Sequence, residues 1–215
     1  MPTNRPKNEE ELQKREAIGV IRASRFVRRY AHSHKIINVE TICAIHKEIF
    51  KNAWLEIAGK YRDEELSITD SDLLLPHHTQ IPELMDKLNI ELLKNIKELK
   101  DCEGYILNLS VEITDDSISC IEKVINLASW LHHKITAVHP FREGNGRTAR
   151  LATNLILERY GLVGISVKIE KENKNAYRKA LAQIDKYGDY EPLENIISEG
   201  ITERYNGISM KYYKV

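Results

Sequence analysis

Three cysteines in 215 residues, Cys43, Cys102 and Cys120, are too few, too far apart and too odd in number to suggest a disulfide framework or a thiolate zinc site. They are expected to be free thiols in a reducing cytoplasm. A dominant charge of one sign is also missing. The chain carries 32 basic and 32 acidic side chains, which cancel to a formal charge of zero. That removes the general electrostatic case for binding nucleic acid or an anionic membrane, and neither partner is expected. No apolar run approaches the length needed to span a bilayer. The first residues, MPTNRPKNEEELQK, are polar and show no apolar stretch of a secretory signal. The expected location is therefore cytoplasmic, although delivery as an effector by a specialised secretion route would leave no mark of this kind. Internal repeats and low-complexity linkers are absent as well.

What is present is helical periodicity. Residues 10–30 mix charged and apolar groups at helical spacing, with Ile18, Ile21, Phe26 and Val27 expected to face inward. Residues 39–58 predict a second helix built on Ile42, Ile45, Ile49, Phe50 and Ile57, closed by Gly59. Residues 83–99, 117–134, 171–185 and 191–205 predict further helices. In the stretch 117–134, Ile121, Val124, Ile125, Ala128 and Leu131 form one stripe. Residues 66–82 differ. Leu73-Leu74-Leu75-Pro76 and His77-His78-Thr79-Gln80-Ile81-Pro82 predict a small β-hairpin or extended loop, because neither proline can donate a ladder hydrogen bond. The expected fold class is mostly α: a single-domain helical bundle over residues 15–205 with a small β-hairpin flap, a polar segment at 1–14 and a tail at 206–215.

The chemistry concentrates between two helices, in His139-Pro140-Phe141-Arg142-Glu143-Gly144-Asn145-Gly146-Arg147-Thr148-Ala149-Arg150. A helix is expected to start near Gly144 or Asn145 and to run to about Tyr160. The first amides of a helix have no internal acceptors and, with the helix dipole, form an anion site. Glycines at that point let a phosphate approach the backbone, and Asn145 adds an amide donor. Arg147 and Arg150, three residues apart, share a helix face and suit the outer phosphates of a nucleotide. Glu143 is placed to hold Mg²⁺, which takes few protein carboxylates and mostly phosphate oxygens and water. His139, on a loop stiffened by Pro140, is placed to accept a proton from an attacking hydroxyl. Phe141 is expected to anchor the loop. These residues alone point to a transferase acting on a metal–nucleotide complex.

Residues 139–150 also resemble the signature of the Fic (filamentation induced by cAMP) family, His-x-Phe-x-Asp/Glu-Gly-Asn-Gly-Arg-x-x-Arg, at every specified place. The region from Ile45-His46 to Ala58-Gly59-Lys60-Tyr61-Arg62 and the segment Ile81-Pro82-Glu83-Leu84-Met85 are similar to the family too, so the resemblance covers about residues 15–205. One departure is Ile57, where the family often has Trp. The resemblance implies protein AMPylation: transfer of AMP from ATP with Mg²⁺ to a Ser, Thr or Tyr hydroxyl of a target protein, or of the enzyme itself, releasing pyrophosphate. It implies His139 as general base, Glu143 as the Mg²⁺ ligand, Gly144, Asn145 and Gly146 around the α-phosphate, and Arg147 and Arg150 on the β- and γ-phosphates. It further implies a flap, with His78, Thr79, Gln80 and Ile81, that docks an extended piece of the target by strand addition. Many relatives are held off by a helix bearing Ser/Thr-x-x-x-Glu-Gly/Asn. The nearest approach here is Asn195-Ile196-Ile197-Ser198-Glu199-Gly200, which makes Glu199 the candidate inhibitory residue. The other routes of inhibition are a separate antitoxin protein, which is favoured, and self-association. Related expectations are another Fic-type transfer (a different nucleotide, phosphate, or removal of AMP) and a catalytically idle nucleotide-binding module. The intact His139 and Glu143 favour AMP transfer over both.

Overall fold

A computed structural model of the chain describes residues 5–33, 35–67, 74–102, 114–167 and 171–206. Among the described residues, seven α-helices and one 3₁₀ turn are delimited: α1 (Glu9–Ala31), α2 (Val39–Phe50), the 3₁₀ turn (His78–Gln80), α3 (Ile81–Glu98), α4 (Asp115–Val138), α5 (Asn145–Arg159), α6 (Lys171–Tyr187) and α7 (Glu191–Asn206). No strand occurs among the described residues. None of the helices is long and apolar enough to cross a membrane. The contacts divide the chain into two compact units, Met1–Lys94 with Lys134–Ala152, and Asn95–His133 with Thr153–Val215.

In the first unit, α1 is capped by Asn8, whose side chain accepts from the Glu10 amide at 2.9 Å. Its buried face is not the expected one. Ile18 and Ile21 are 62% and 59% exposed, and the buried positions are Leu12, Gly19, Ala23, Val27 and Ala31. From Gly19 onward these residues recur every fourth position and all but Val27 are small, which lets α1 lie close against α2. A Cβ on Gly19 would fall on the Ile49 carbonyl. Close backbone approach outweighed side-chain size in choosing the face, and size was all the sequence pattern could weigh.

Helix α2 opens with a capping box between Asn38 and Thr41 and buries Ile42, Ile45, Ile49 and Phe50 as expected. It ends at Phe50 rather than near residue 58. Residues 51–59 run as successive tight turns, with the Ala53, Ile57 and Ala58 amides each donating three residues back. The reversal brings the Gly59 amide to His46 Nδ1 at 2.9 Å. A continuous helix would leave those residues about 20 Å apart.

The segment expected to form a hairpin is different in its described part. Residues 74–77 are irregular, His78–Gln80 form the 3₁₀ turn, and α3 begins directly at Ile81. Gln80 closes a capping box on His77, and Pro82 sits in the first turn of α3, where its missing donor costs nothing. Residues 68–73 of the expected flap, including Leu73, lie outside the described residues, as does the tail from 207 onward.

In the second unit, α4 buries Val124, Ile125, Leu127, Ala128 and Leu131, and α5 buries Leu155, Ile156 and Leu157, as their patterns predict. His132, fully buried, bonds Thr153 Oγ1 through Nδ1 at 2.9 Å and the Tyr177 hydroxyl through Nε2 at 2.7 Å. That satisfies both ring nitrogens inside the core. The cysteine expectation is corrected here. Cys102 and Cys120 form a disulfide across Cα atoms 5.3 Å apart, and only Cys43 is free. The bond links Cys102, four residues past the end of α3, to the second turn of α4, a proximity no spacing rule foretells. Closing a loop of this length stabilises by about 2–4 kcal/mol. Dithiothreitol is therefore expected to lower the guanidinium midpoint, and a Cys102→Ser/Cys120→Ser variant should match the reduced protein and respond no further to reductant.

Candidate functional site

The site is assembled within the first unit. A cavity of about 480 Å³ is lined by His139, Glu143, Gly144, Gly146, Arg147 and Arg150, among others, with Leu66 and Ser67 on its edge. That volume lies in the range of small-molecule sites. The sequence-predicted group is thus brought together, apart from the flap and Glu199.

His139 sits just past the end of α4 with φ +50°, an unusual conformation for a side-chain-bearing residue. Three contacts hold it there. Its own amide donates to the Ile135 carbonyl at 3.0 Å, its ring Nδ1 lies 3.2 Å from the Thr136 carbonyl, and its carbonyl accepts from Arg62 Nε at 2.8 Å. A carbonyl only accepts, so Nδ1 carries the proton and Nε2 keeps its lone pair. Burial lowers the His139 pKa, and the Arg62 charge adds to that effect against the raising influence of the Thr136 bond. The ring is therefore neutral at neutral pH, as a base must be.

Beyond it, the loop turns about Asn145. This side chain is buried, accepts from the Phe141 amide at 2.9 Å and donates to the Phe141 carbonyl at 2.7 Å. These two bonds lock the loop, and Asn145 also lines the cavity. Beside it lie the backbone amides at the start of α5, over which Arg150 folds. A Cβ on Gly146 would lie 3.3 Å from Arg150 Nη1.

Glu143 is exposed, and its Oε1 accepts from the Gly144 amide at 2.9 Å and from Arg147 Nη2 at 3.0 Å. Arg147 is gripped on its other side by Glu16 of α1, through Nη1 at 2.5 Å, and lies over the Phe50 ring. Glu143 is the only carboxylate among the described residues lining the cavity. One carboxylate beside phosphate-binding donors is the set Mg²⁺ takes, so the residues present fit that ion.

Sequence reading missed three residues that hold this site. Arg62, 3% exposed, donates to His139 and, through Nη1 and Nη2, to the carbonyls of Glu64 at 3.0 Å and Pro76 at 2.5 Å. Glu16 reaches Arg147 from 131 residues away. His46 stacks on Phe141 with ring centroids 3.9 Å apart, and its Nε2 meets the Glu143 carbonyl at 3.0 Å. His46 Nδ1 accepts from Gly59, so Nε2 is the donor and the ring is neutral.

Burial lowers the His46 pKa to about 4. An unfolded imidazole protonates near pH 6.5. The unfolded chain thus binds more protons between those values, and stability that is complete above about pH 6.5 is lost as pH falls through about 4. The His46 contribution is on the order of 3 kcal/mol. Urea midpoints are expected to decline steadily over that window, and a His46→Gln variant should lose most of the slope.

The remaining predictions fall differently. His78, Thr79 and Gln80 belong to the 3₁₀ turn. The amides of Gln80 and Ile81 donate to the carbonyls of His77 and His78, and Ile81 is fully buried. In this conformation they form a turn, and the irregular residues 74–77 before them include Leu74, which is 92% exposed. Glu199 lies half-buried on α7 in the second unit and is not among the residues lining the cavity.

Comparison with known proteins gives a consistent result. The model of the Fic/DOC family matches residues 36–157, more than half of the chain. A protein adenylyltransferase Fic of Nematostella vectensis is 26% identical over 90% of the chain, and protein adenylyltransferase fic-1 of Caenorhabditis briggsae is 28% identical over 89%. The chain spans only 39% and 34% of the length of these two relatives. Among solved structures, Fic-1 of C. elegans superposes with a TM-score of 0.62 at 24% identity, covering 94% of this chain and 53% of that one.

Proposed function

The chain belongs to the Fic/DOC family, and from that premise we propose that it is a protein adenylyltransferase, moving AMP from ATP to a hydroxyl side chain of a target protein. The observation that carries this reading is the tautomer of His139: a neutral ring with Nδ1 pinned to Thr136 and Nε2 left basic, on a residue that lines a cavity shared with three arginines and a helix start. The target hydroxyl gives its proton to Nε2 as its oxygen bonds to the α-phosphorus. The bond from that phosphorus to the bridging oxygen breaks, and pyrophosphate leaves. Amides at the start of α5 stabilise the charge that develops on the phosphoryl oxygens.

Glu143 and the phosphates compete for the same donors. Its carboxylate accepts from Gly144 and Arg147. A bound phosphate would take those bonds over and free the carboxylate. Glu143 would then be the residue to hold Mg²⁺, which would supply charge neutralisation. Arg147 and Arg150 hold the outer phosphates and set the in-line geometry.

Incubation with Mg²⁺ and ATP labelled on its α-phosphate, alone and with cell lysate, tests the reading. Label on the protein or on a lysate band supports it. Label from γ-labelled ATP alone would replace it with phosphate transfer.

A further inference from the structure

Outside the cavity, three metal-ligating side chains of the first unit converge. Glu65 follows Arg62 by three residues, and His77 and His78 lead into α3. His78 Nδ1 lies 2.6 Å from Glu65 Oε1, and His77 Nε2 lies 3.3 Å from the same oxygen. One ligand atom from each residue falls within 4.8 Å of the others. None of the three lines the cavity, so the cluster is separate from Glu143.

Adjacent histidines on one helix diverge, and on one strand they point to opposite faces. Here the backbone changes between them. His77 is extended, with φ −58° and ψ 141°, while His78 starts the 3₁₀ turn. That break turns both rings to one side, with centroids 4.4 Å apart. The remaining nitrogen of His77 is also engaged: Nδ1 lies 2.8 Å from Thr79 Oγ1. The Thr79 amide donates to the same nitrogen, so Nδ1 accepts and Nε2 carries the proton that faces the carboxylate, a proton that passes to solvent when an ion takes its place. Thr79 thereby fixes the orientation of the ring, as a second partner does at metal-bound histidines. Two ligands on a tetrahedral zinc ion with bonds of about 2.0–2.1 Å stand about 3.3 Å apart. The His77–Glu65 pair already has that spacing. Glu65 itself is oriented by the His78 amide at 3.1 Å.

We propose that Glu65, His77 and His78 form a binding site for a divalent transition-metal ion of the zinc class, with water completing the shell. Two imidazoles and a carboxylate suit zinc and its neighbours in the first transition row, whereas magnesium prefers oxygen ligands alone. The ion replaces the Nδ1 proton of His78, which passes to solvent. It joins residues 13 apart in sequence, Glu65 and His78. These flank the two stretches that Arg62 already ties together through the Pro76 carbonyl while holding the carbonyl of His139. The ion is thus a brace behind the catalytic loop, not a participant in the transfer.

The test is calorimetric titration of Zn²⁺ into the full chain, stripped of metal and held in excess Mg²⁺. One ion per chain is expected, undisturbed by Mg²⁺. Co²⁺ should take the same site with the strong visible absorption of tetrahedral coordination. Glu65→Gln, His77→Ala and His78→Ala should each weaken Zn²⁺ binding by more than about tenfold. These side chains are solvent-accessible, so helical circular dichroism should stay unchanged. No saturable Zn²⁺ binding would overturn the site and leave a surface hydrogen-bonded cluster only. Binding undiminished in a His77→Ala/His78→Ala double variant would overturn it too, by placing the ion elsewhere. Neither readout depends on AMP transfer.

Discussion

Replacing His139 with alanine is expected to lower the rate of AMP transfer by about 10²–10⁴-fold while leaving ATP binding nearly unchanged. The two effects separate because the ring and the phosphate donors come from different parts of the loop. The donors are backbone amides and arginines of α5, whose position depends on Asn145 and its two bonds to Phe141. The ring hangs from the end of α4, fixed by Ile135, Thr136 and Arg62. Truncation at Cβ removes the base and leaves the Arg62 bond, which goes to the main chain. Relief of the φ +50° conformation is small, since alanine meets nearly the same backbone restriction. A pH profile sharpens the result. Burial lowers the pKa of His139, so it stays neutral and basic to below the ordinary imidazole value. The acid limb of the wild-type rate is thus expected below pH 6.5 and should vanish from the residual activity of the variant. Single-turnover transfer from α-labelled ATP gives the rate, and nucleotide titration gives the affinity. A variant that transfers AMP at the wild-type rate would remove His139 from the chemistry.

Much of this site was legible in the chain because its parts are contiguous. The run 139–150 carries the proposed base, the proposed metal ligand and the arginines within one loop and the first two turns of α5, and local rules suffice to place them. Helices were legible for the same reason, as periodicity is a local property. The misses share a different cause. Arg62, Glu16 and His46 act through partners 77, 131 and 97 residues away, and no pattern in the sequence marks the pairing. The buried face of α1 was misread because Ile18 and Ile21 are larger than Gly19 and Ala23, yet the small residues set how closely α2 can approach. The loop-locking bonds of Asn145 were not legible, because they depend on where the fold places the Phe141 backbone. The convergence of His77 and His78 on Glu65 was not legible either, because it depends on the backbone break between them.

Gly144→Ala is expected to be severely damaging for a single-methyl change, because it fails on two independent counts. Gly144 has φ +76°, where a Cβ costs about 1–2 kcal/mol. That Cβ would also stand 2.4 Å from Cε2 and 2.7 Å from Cζ of Phe50. Phe50 is fully buried and close-packed, so its ring has no room to withdraw, and overpacking of this kind costs about 1–3 kcal/mol more. The strain does not stay local. Phe50 lies 4.7 Å from the His46 ring and carries the Arg147 guanidinium over its face at 5.2 Å. His46 in turn holds the Glu143 carbonyl and stacks on Phe141, the residue Asn145 grips. Displacing Phe50 thus disturbs the metal ligand, one phosphate arginine and the loop lock together. The expected outcome is a loss of about 2–5 kcal/mol in urea unfolding, with AMP transfer reduced well beyond what the fraction unfolded explains. Phe50→Leu separates the two causes. In the double variant the clash is relieved while the φ cost remains, so stability should recover partway toward that of Phe50→Leu alone. Full additivity of the two losses would show that the Phe50 contact is not what Gly144 protects.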